Sequence, residues 1–327
     1  MRAFVVSEVD GSMQLGVEER EASASAPDDV LVAVEYSGVN YKDALVASVG
    51  GRVRRVASLI GGVDAAGVIA HSSNEKWPVG TRVAVHGGDL GVARDGGFAT
   101  FVYAPVKFLS PLPDTVSTRD AMVIGTAGFT AMASVLALEH HGLDTDGEIL
   151  VTGATGGVGS LSLTFLSARG YHAVASTGSL SESNWLLERG AARIIDRDQI
   201  SDKPDRVLGT ERWNGAIDCV GGATLHHILR SLRYGAAVAA SGLVGSAELQ
   251  TNVFPFITRA VSLLGIDAVE ARANTRSDVW HAIGEVSPTI DFSTLIDRVA
   301  SLEELPESLE KIRNAKTRGR ILVDVSR

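Results

Sequence analysis

The sequence predicts an α/β protein in which a doubly wound parallel sheet follows a smaller, mostly β region. Three observations carry this. Past Ser117, short apolar runs alternate with helical stretches, the pattern of right-handed βαβ crossovers. One strand-to-helix joint, Ile149 to Ser160, is rich in glycine. Up to about Pro113 the chain instead shows short Val-rich runs between turn residues, a strand signal. With 327 residues, 45% of them hydrophobic, the chain is long enough for two domains with their own cores.

In order, Val30 to Tyr36 and Arg82 to Val85 read as strands, and the glycine knots Gly61 to Gly67 and Asp95 to Ala99 as bulges or corners of a small barrel. Ser117 is a candidate cap for a helix opening at Thr118, and a second helix runs from Gly128 to Ala137. Strands follow near 149–152, 171–176, 193–196, 216–220 and 236–241. Helices lie near 158–169, 182–189 and 223–233, with a connector over 197–215. A short helix, Pro255 to Arg259, precedes the apolar strand Val261 to Ile266. That strand would be a sheet edge, and pairing it across a twofold predicts a homodimer. The helix Leu302 to Arg313 and the strand Arg320 to Val325 close the chain, and that last strand is expected to return to the first region. The expected domains are therefore 1–117, 118–271 and a returning segment 272–327.

The glycine joint has a chemical reading. Ala154-x-Gly156-x-x-Gly159 after an apolar strand is the dinucleotide fingerprint with alanine in its first position. Gly156 lets the backbone approach a pyrophosphate, Gly159 lets the helix pack close to the sheet, and the helix Val158 to Ala168 presents unpaired N–H groups and a positive dipole end. An ordinary tight turn would use the same letters, but the context favours a nucleotide. A second strand, Tyr171 to Ser176, leads into Thr177-Gly178-Ser179, where an acid would read the ribose of NAD. No acid stands there, and Ser176, Thr177 and Ser179 are able to donate to a 2′-phosphate, which favours NADPH over NADH. The turn holds no arginine or lysine, and Arg193, just after the next helix, is the cation expected to lean in.

The net charge of −9 argues against a general nucleic-acid binder. Basic residues gather at Arg52, Arg54 and Arg55, and at Lys316, Arg318 and Arg320; each cluster reads as a solvated loop or as a site for one phosphate-bearing small molecule. No apolar stretch is expected to reach bilayer length, so a cytoplasmic protein without membrane contact is expected. The single Cys219 excludes an internal disulfide and sits in an apolar strand, as a buried thiol would. His140-His141 and His226-His227 are adjacent pairs that point to different sides of a helix, so no metal site is expected.

Four segments together, Asn40 to Leu45, Ile124 to Met132, Val151 to Gly159 and Gly215 to Asp218, resemble the YhdH/YhfP-type quinone oxidoreductases, zinc-free medium-chain reductases that include the AcuI-type acryloyl-CoA reductases. The resemblance runs essentially end to end, through Phe254 to Ile257 and Gly319-Arg320. It implies a GroES-like catalytic domain beside a Rossmann domain, a dimer, and NADPH as hydride donor to an electron-poor alkene or quinone. Zinc-dependent relatives have a cysteine in the segment matching Gly38 to Asp43 and a Gly-His-Glu motif matching Gly62 to Asp64. Those ligands are absent here.

Carried over by motif, Tyr41 lies beside the nicotinamide, as an aromatic wall or as a phenol that hydrogen-bonds an enolate or protonates the α-carbon. Asn40 and Asp43 fix its loop or orient a proton donor. Thr126 and Thr130 approach the nicotinamide ribose, and Thr155, Gly156, Gly157 and Val158 hold the pyrophosphate. Thr177, Gly178 and Ser179 approach the adenosine ribose phosphate, Leu243 and Ile257 line the nicotinamide side, and Arg320 contacts the cofactor from the tail. Two departures stand out: Ser179 where several relatives carry Arg or Lys, and His86 to Asp95 without the tryptophan that relatives often place there. The expected activity is NADPH-dependent reduction of an activated C=C, with acryloyl-CoA or a related short enoyl thioester as acceptor. NADPH:quinone reduction and a non-catalytic NADPH-binding or sensor protein stay open.

Overall fold

The computed structural model describes residues 1–24, 26–51, 53–200 and 206–327. Arg52 and residues 201–205 of the expected connector lie outside them. The chain divides into two units, 1–127 with 268–327, and 128–267.

The first unit is built on antiparallel strands. Arg2–Val9 pairs with Ser12–Glu19 on one side and Ser58–Ile60 on the other. A seven-stranded sheet centres on Val30–Val39, which pairs with Asp64–His71, Phe101–Ala104 and the closing strand Arg320–Asp324. The closing strand runs antiparallel to the central one, with Ile321 opposite Val39. The alternation in Val30–Val39 puts Val30, Val32 and Val34 into a core shared with Phe4, Ile69, Val83, Phe98 and Val323.

The second unit is a six-stranded parallel sheet in the order Ala191–Asp196, His172–Thr177, Glu148–Val151, Gly215–Asp218, Ala237–Ala240, Ser262–Gly265. Strand order reverses on either side of Glu148–Val151, the topological switch point where open α/β sheets bind ligands. These strands are buried on both faces, so they read as continuous apolar runs such as Ile149-Leu150-Val151, all 0% exposed. Ser262–Gly265 forms one edge, with Leu263 exposed.

The units divide after Ala127 rather than after residue 117, and the physical reason is Gly125. The two helices expected here form one run, Thr118–His140, broken where Gly125 takes φ 50° and ψ −159°. A side chain cannot be accommodated there, because a Cβ would lie 2.4 Å from Asp64 Oδ2 and 2.8 Å from Arg320 Nη2. The turns before the break stay with the first unit, where the Val123 carbonyl accepts from Arg320 Nε at 2.9 Å. The same run corrects the expectation about apolar length. By length and composition it is able to cross a membrane, but 83% of its most apolar window is buried inside the protein, as in a core helix.

Candidate cofactor and catalytic sites

In the second unit the glycine joint is the start of the helix Gly157–Ala168. Gly153, with φ +60°, turns the chain out of the strand, and its carbonyl accepts from Gly156 N at 3.0 Å. A Cβ on Gly159 would stand 2.4 Å from Gly153 O and 2.8 Å from Ala154 Cα, so the fold itself demands glycine there. Gly156 is different: its backbone is extended, and a Cβ would meet only Gly153 O, at 3.3 Å. The space that Gly156 keeps open faces the free N–H groups of the first helical turn. Thr155, Gly156, Gly157 and Val158 are all half-buried, so this cradle fits an anionic group.

Two neighbours support the joint. Asp218 accepts from Thr152 Oγ1 at 2.6 Å, Gly221 N at 2.8 Å and Val220 N at 3.2 Å, and burial pushes its carboxyl above the usual range despite those bonds. Desolvation, with Asp218 beside it, pushes the Cys219 thiol up to about 12, so it holds no thiolate near neutrality. Beyond strand two, the Thr177 hydroxyl accepts from Ser179 N at 2.9 Å and is 3% exposed, while Gly178 and Ser179 are exposed. By accepting that bond the Thr177 hydroxyl shapes the turn. Arg193 does not lean in. It grips Glu148 with Nε at 2.5 Å and Nη2 at 2.6 Å, toward the amino ends of the strands.

Leu243 and Ile257 are 63% and 73% exposed, and Leu243 borders a cavity of 410 Å³ at the carboxyl ends of Ala237–Ala240 and Ser262–Gly265. Thr130 is buried, its carbonyl accepting from Ser134 Oγ at 2.7 Å.

In the first unit, Tyr41 opens the helix Tyr41–Val46. The Asp43 carboxylate accepts from Asn40 N at 2.7 Å, the return half of a capping box, and from Val63 N at 2.9 Å. Burial pushes Asp43 up to about 7; the two backbone N–H groups pull it down and neighbouring Asp64 pushes it further up. Asn40 donates its amide to Asp64 Oδ2 at 2.7 Å, and its Oδ1 accepts from Arg320 Nη1 at 3.2 Å. Asp64 also takes Thr126 N at 2.9 Å and Thr126 Oγ1 at 2.5 Å, with Arg320 Nη2 at 3.7 Å. Asn40 and Asp43 are thus buried structural anchors, whereas Tyr41 is 42% exposed.

Arg320, expected as a cofactor contact, is 3% exposed; its Nε and Nη1 donate to Val123 O, Val39 O and Asn40 Oδ1, while Nη2 lies 3.7 Å from Asp64 and makes no hydrogen bond. A lone cation beside two buried carboxylates is needed where it stands. Thr126 gives both its donors to Asp64. Arg54, a candidate phosphate contact, is also turned inward, onto Glu8 and the Val56 and Ala57 carbonyls. A cavity of 860 Å³ in this unit, lined by Phe108–Thr115 and Val269–Glu285, contains none of the expected residues.

Sequence reasoning missed the central place of Asp64 and the approach of Arg197 to Gly178. Asp64 was legible as a lone acid opening an apolar strand. Arg197 stands one residue past the third strand, where only knowledge of the sheet order brings it beside Gly178.

An antiparallel β unit joined to a parallel sheet in this strand order, with a glycine joint at its switch point, defines a two-domain dehydrogenase. Residues 26–114 match the model of the alcohol dehydrogenase GroES-like domain, and residues 157–284 that of the zinc-binding dehydrogenases. Among the described residues no group of three His, Cys, Asp or Glu is placed to hold a metal ion. The chain is 41% identical to acrylyl-CoA reductase AcuI of Ruegeria pomeroyi, over 98% of this chain and 97% of that one. YhfP of Bacillus subtilis, named for quinone oxidoreduction, is 43% identical over 90% of both chains; its structure with NAD bound superposes with a TM-score of 0.96, covering 99% of each. The yhdH oxidoreductase of Salmonella enterica in complex with NADP superposes at 0.94, with 37% identity, covering 99% of this chain and 100% of that one. The chain belongs to the zinc-free medium-chain dehydrogenases/reductases, in the group of YhfP-type quinone oxidoreductases and AcuI-type acrylyl-CoA reductases. It is an oxidoreductase.

Proposed function

We propose that the protein is an NADPH-dependent reductase of activated C=C bonds, with acryloyl-CoA or a related short enoyl thioester as acceptor, working without zinc. One observation carries the chemistry. Of Asn40, Tyr41 and Asp43, only Tyr41 is exposed, and its hydroxyl makes no hydrogen bond among the described residues. The match to AcuI across both full lengths supports the acceptor.

When bound, the dihydronicotinamide supplies a hydride to the β-carbon of the acceptor. The N–H groups of Gly157 and Val158, with Thr155 and Gly156, hold the pyrophosphate. Gly178 and Ser179 would meet the adenosine ribose, Thr130 the nicotinamide ribose, and Leu243 and Ile257 the nicotinamide. Tyr41 Oη hydrogen-bonds the developing enolate oxygen or gives its proton to the α-carbon, held there by the Asn40 and Asp43 anchors. A conjugated carbonyl already makes the β-carbon electrophilic, so the reduction needs no Lewis acid. The exposed edge Ser262–Gly265 supports a homodimer as the working form, in the cytoplasm.

The test is consumption of NADPH by the purified protein with acryloyl-CoA, crotonyl-CoA and 1,4-benzoquinone. Turnover of acryloyl-CoA is expected. Turnover of the quinone alone would move the function to quinone reduction, and nucleotide binding with no turnover would make the protein a binder or sensor.

A further inference from the structure

The acceptor proposed above carries phosphates, and the cation first expected to meet them is spent, since Arg54 grips Glu8 and two backbone carbonyls. The 860 Å³ cavity of the first unit offers another place. Trp77, Phe108, Pro111 and Trp280 give it apolar walls, and its volume lies within the range of ligand pockets. Part of the lining is built differently. Arg272 and Ala273 belong to the start of the helix Ala273–Val286, which has no side-chain cap and no acid in its first turn. The N–H groups of Ala273, Asn274 and Thr275 donate to nothing among the described residues, as at an open anion site. Arg272 and Lys107, whose Nζ lies 5.0 Å from the centre of the Phe108 ring, are exposed and have no carboxylate partner among the described residues. Of the acids in the lining, Asp114 faces Arg82 at 3.6 Å and Glu285 faces His281 at 3.5 Å, while Glu270 opposes an anion and limits the gain. The walls also hold Ser110 Oγ and Trp280 Nε1, buried and without a hydrogen bond. Packing alone does not call for such groups there.

We infer that this cavity holds the nucleotide end of a coenzyme A thioester, with its phosphates on the N-terminus of Ala273–Val286 beside Arg272 and Lys107; this rests on the enoyl-thioester reading above. A helix N-terminus with two cations suits phosphate, and the aromatic walls suit adenine. The cavity is joined to the reacting end through the protein. Arg276, in its lining, brings Nη1 to 3.2 Å from His86 Nε2; His86 stands opposite Asp64 in the sheet, and Asp64 holds Asn40, next to Tyr41. The flexible pantetheine arm is left to cross from the cavity to Tyr41. Binding weakens as salt is raised, because both cations are exposed.

The experiment uses the full-length protein as wild type, as the double variant Lys107→Gln with Arg272→Gln, and as Ser277→Trp, which fills the cavity from an exposed position in its lining. Calorimetry measures binding of coenzyme A and of adenosine 3′,5′-bisphosphate, and kinetics at saturating NADPH compare acryloyl-CoA with acryloyl-pantetheine, which lacks the nucleotide. The double variant should bind coenzyme A about tenfold more weakly and raise KM for acryloyl-CoA in step, with kcat and NADPH affinity unchanged, because two charge-assisted phosphate contacts are lost. Ser277→Trp should act in the same direction, and neither variant should alter KM for acryloyl-pantetheine. Equal coenzyme A affinity in all three proteins, or a wild type that uses acryloyl-pantetheine as well as acryloyl-CoA, would overturn this inference and leave the thioester reductase standing. Coenzyme A binding that weakens in both variants, with no turnover of either thioester, would support the site and overturn the acceptor. A wild type that binds neither coenzyme A nor the bisphosphate and reduces neither thioester would overturn both.

Discussion

Thr152 Oγ1 donates to Asp218 Oδ1 at 2.6 Å, tying together the ends of the two central strands at the switch point of the parallel sheet. The same hydroxyl accepts from Cys219 N at 3.0 Å, and Asp218 takes two further backbone N–H groups. The glycine joint begins at the next residue, Gly153. Its position therefore depends on a carboxylate that burial disfavours but three donors hold.

Removing that carboxylate strands buried donors. Asp218→Ala is expected to lower stability by about 3 kcal/mol, the cost of leaving such groups unpaired, and to weaken nucleotide binding in parallel. Urea unfolding with a nucleotide titration checks this. An unchanged midpoint would show that the strand ends are held by the sheet alone.

The two glycines of the joint should separate fold from ligand. In Gly159→Ala the new methyl meets backbone atoms at 2.4 and 2.8 Å, so the helix must move off the sheet and stability should fall by at least ~2 kcal/mol. In Gly156→Ala the methyl has room, at 3.3 Å from one oxygen, so the unfolding midpoint should hold while nucleotide affinity falls. Equal loss of stability in both variants would refute the reading of Gly156 as ligand space.

Asp43 gives a pH signature of known sign. Its carboxyl titrates near 3.8 when unfolded and near 7 in the fold, so between those values the native state holds a proton that the unfolded state has released. Unfolding then releases a proton, and stability from this group falls as pH rises, by up to ~1.4 kcal/mol per pH unit. Asp43→Asn removes that slope, so its stability relative to wild type should climb from pH 4 to pH 7. His86, buried beside Arg276 and held well below its usual value, contributes the opposite slope, but equally in both proteins. Parallel pH profiles would show that Asp43 is ionised throughout.

Arg320 should prove structural. Arg320→Met leaves Asp64 and Asp43 buried without their cation and is expected to cost about 3–5 kcal/mol. Arg320→Lys should not restore it, since an ammonium cannot reach Val123 O, Val39 O and Asn40 Oδ1 together as the guanidinium does. Thermal unfolding of both variants measures this, and wild-type stability with reduced nucleotide binding would return Arg320 to the cofactor.

The strands and helices of the second unit were legible because each is a continuous apolar run or an amphipathic stretch punctuated by glycine, and the fingerprint named its own chemistry. What escaped the sequence was everything that depends on strand order. Arg197 meets Gly178 only because Ala191–Asp196 lies next to His172–Thr177, while Arg193, nearer in sequence, points to the other end of the same strand. Arg320 and Thr126 carry motif resemblance that suggests ligand contact, but Thr126 gives its donors to Asp64, and Arg320 gives Nε and Nη1 to Val123 O, Val39 O and Asn40 Oδ1. A buried acid recruits the polar groups around it before any ligand does.

Tyr41 is the residue whose role these anchors leave open to chemistry. Its hydroxyl bonds nothing among the described residues, so Tyr41→Phe removes no native contact and should leave the unfolding midpoint within about 0.5 kcal/mol of wild type. If that hydroxyl stabilises the enolate or delivers the α-proton, kcat with acryloyl-CoA should fall about 10²-fold while nucleotide affinity holds. The split matters more than the size. A rise in KM with kcat unchanged would make Tyr41 an aromatic wall, because uniform binding raises no barrier. Lost kcat with KM and stability preserved would place the Tyr41 hydroxyl in the transition state, on the enolate oxygen or as the α-proton donor.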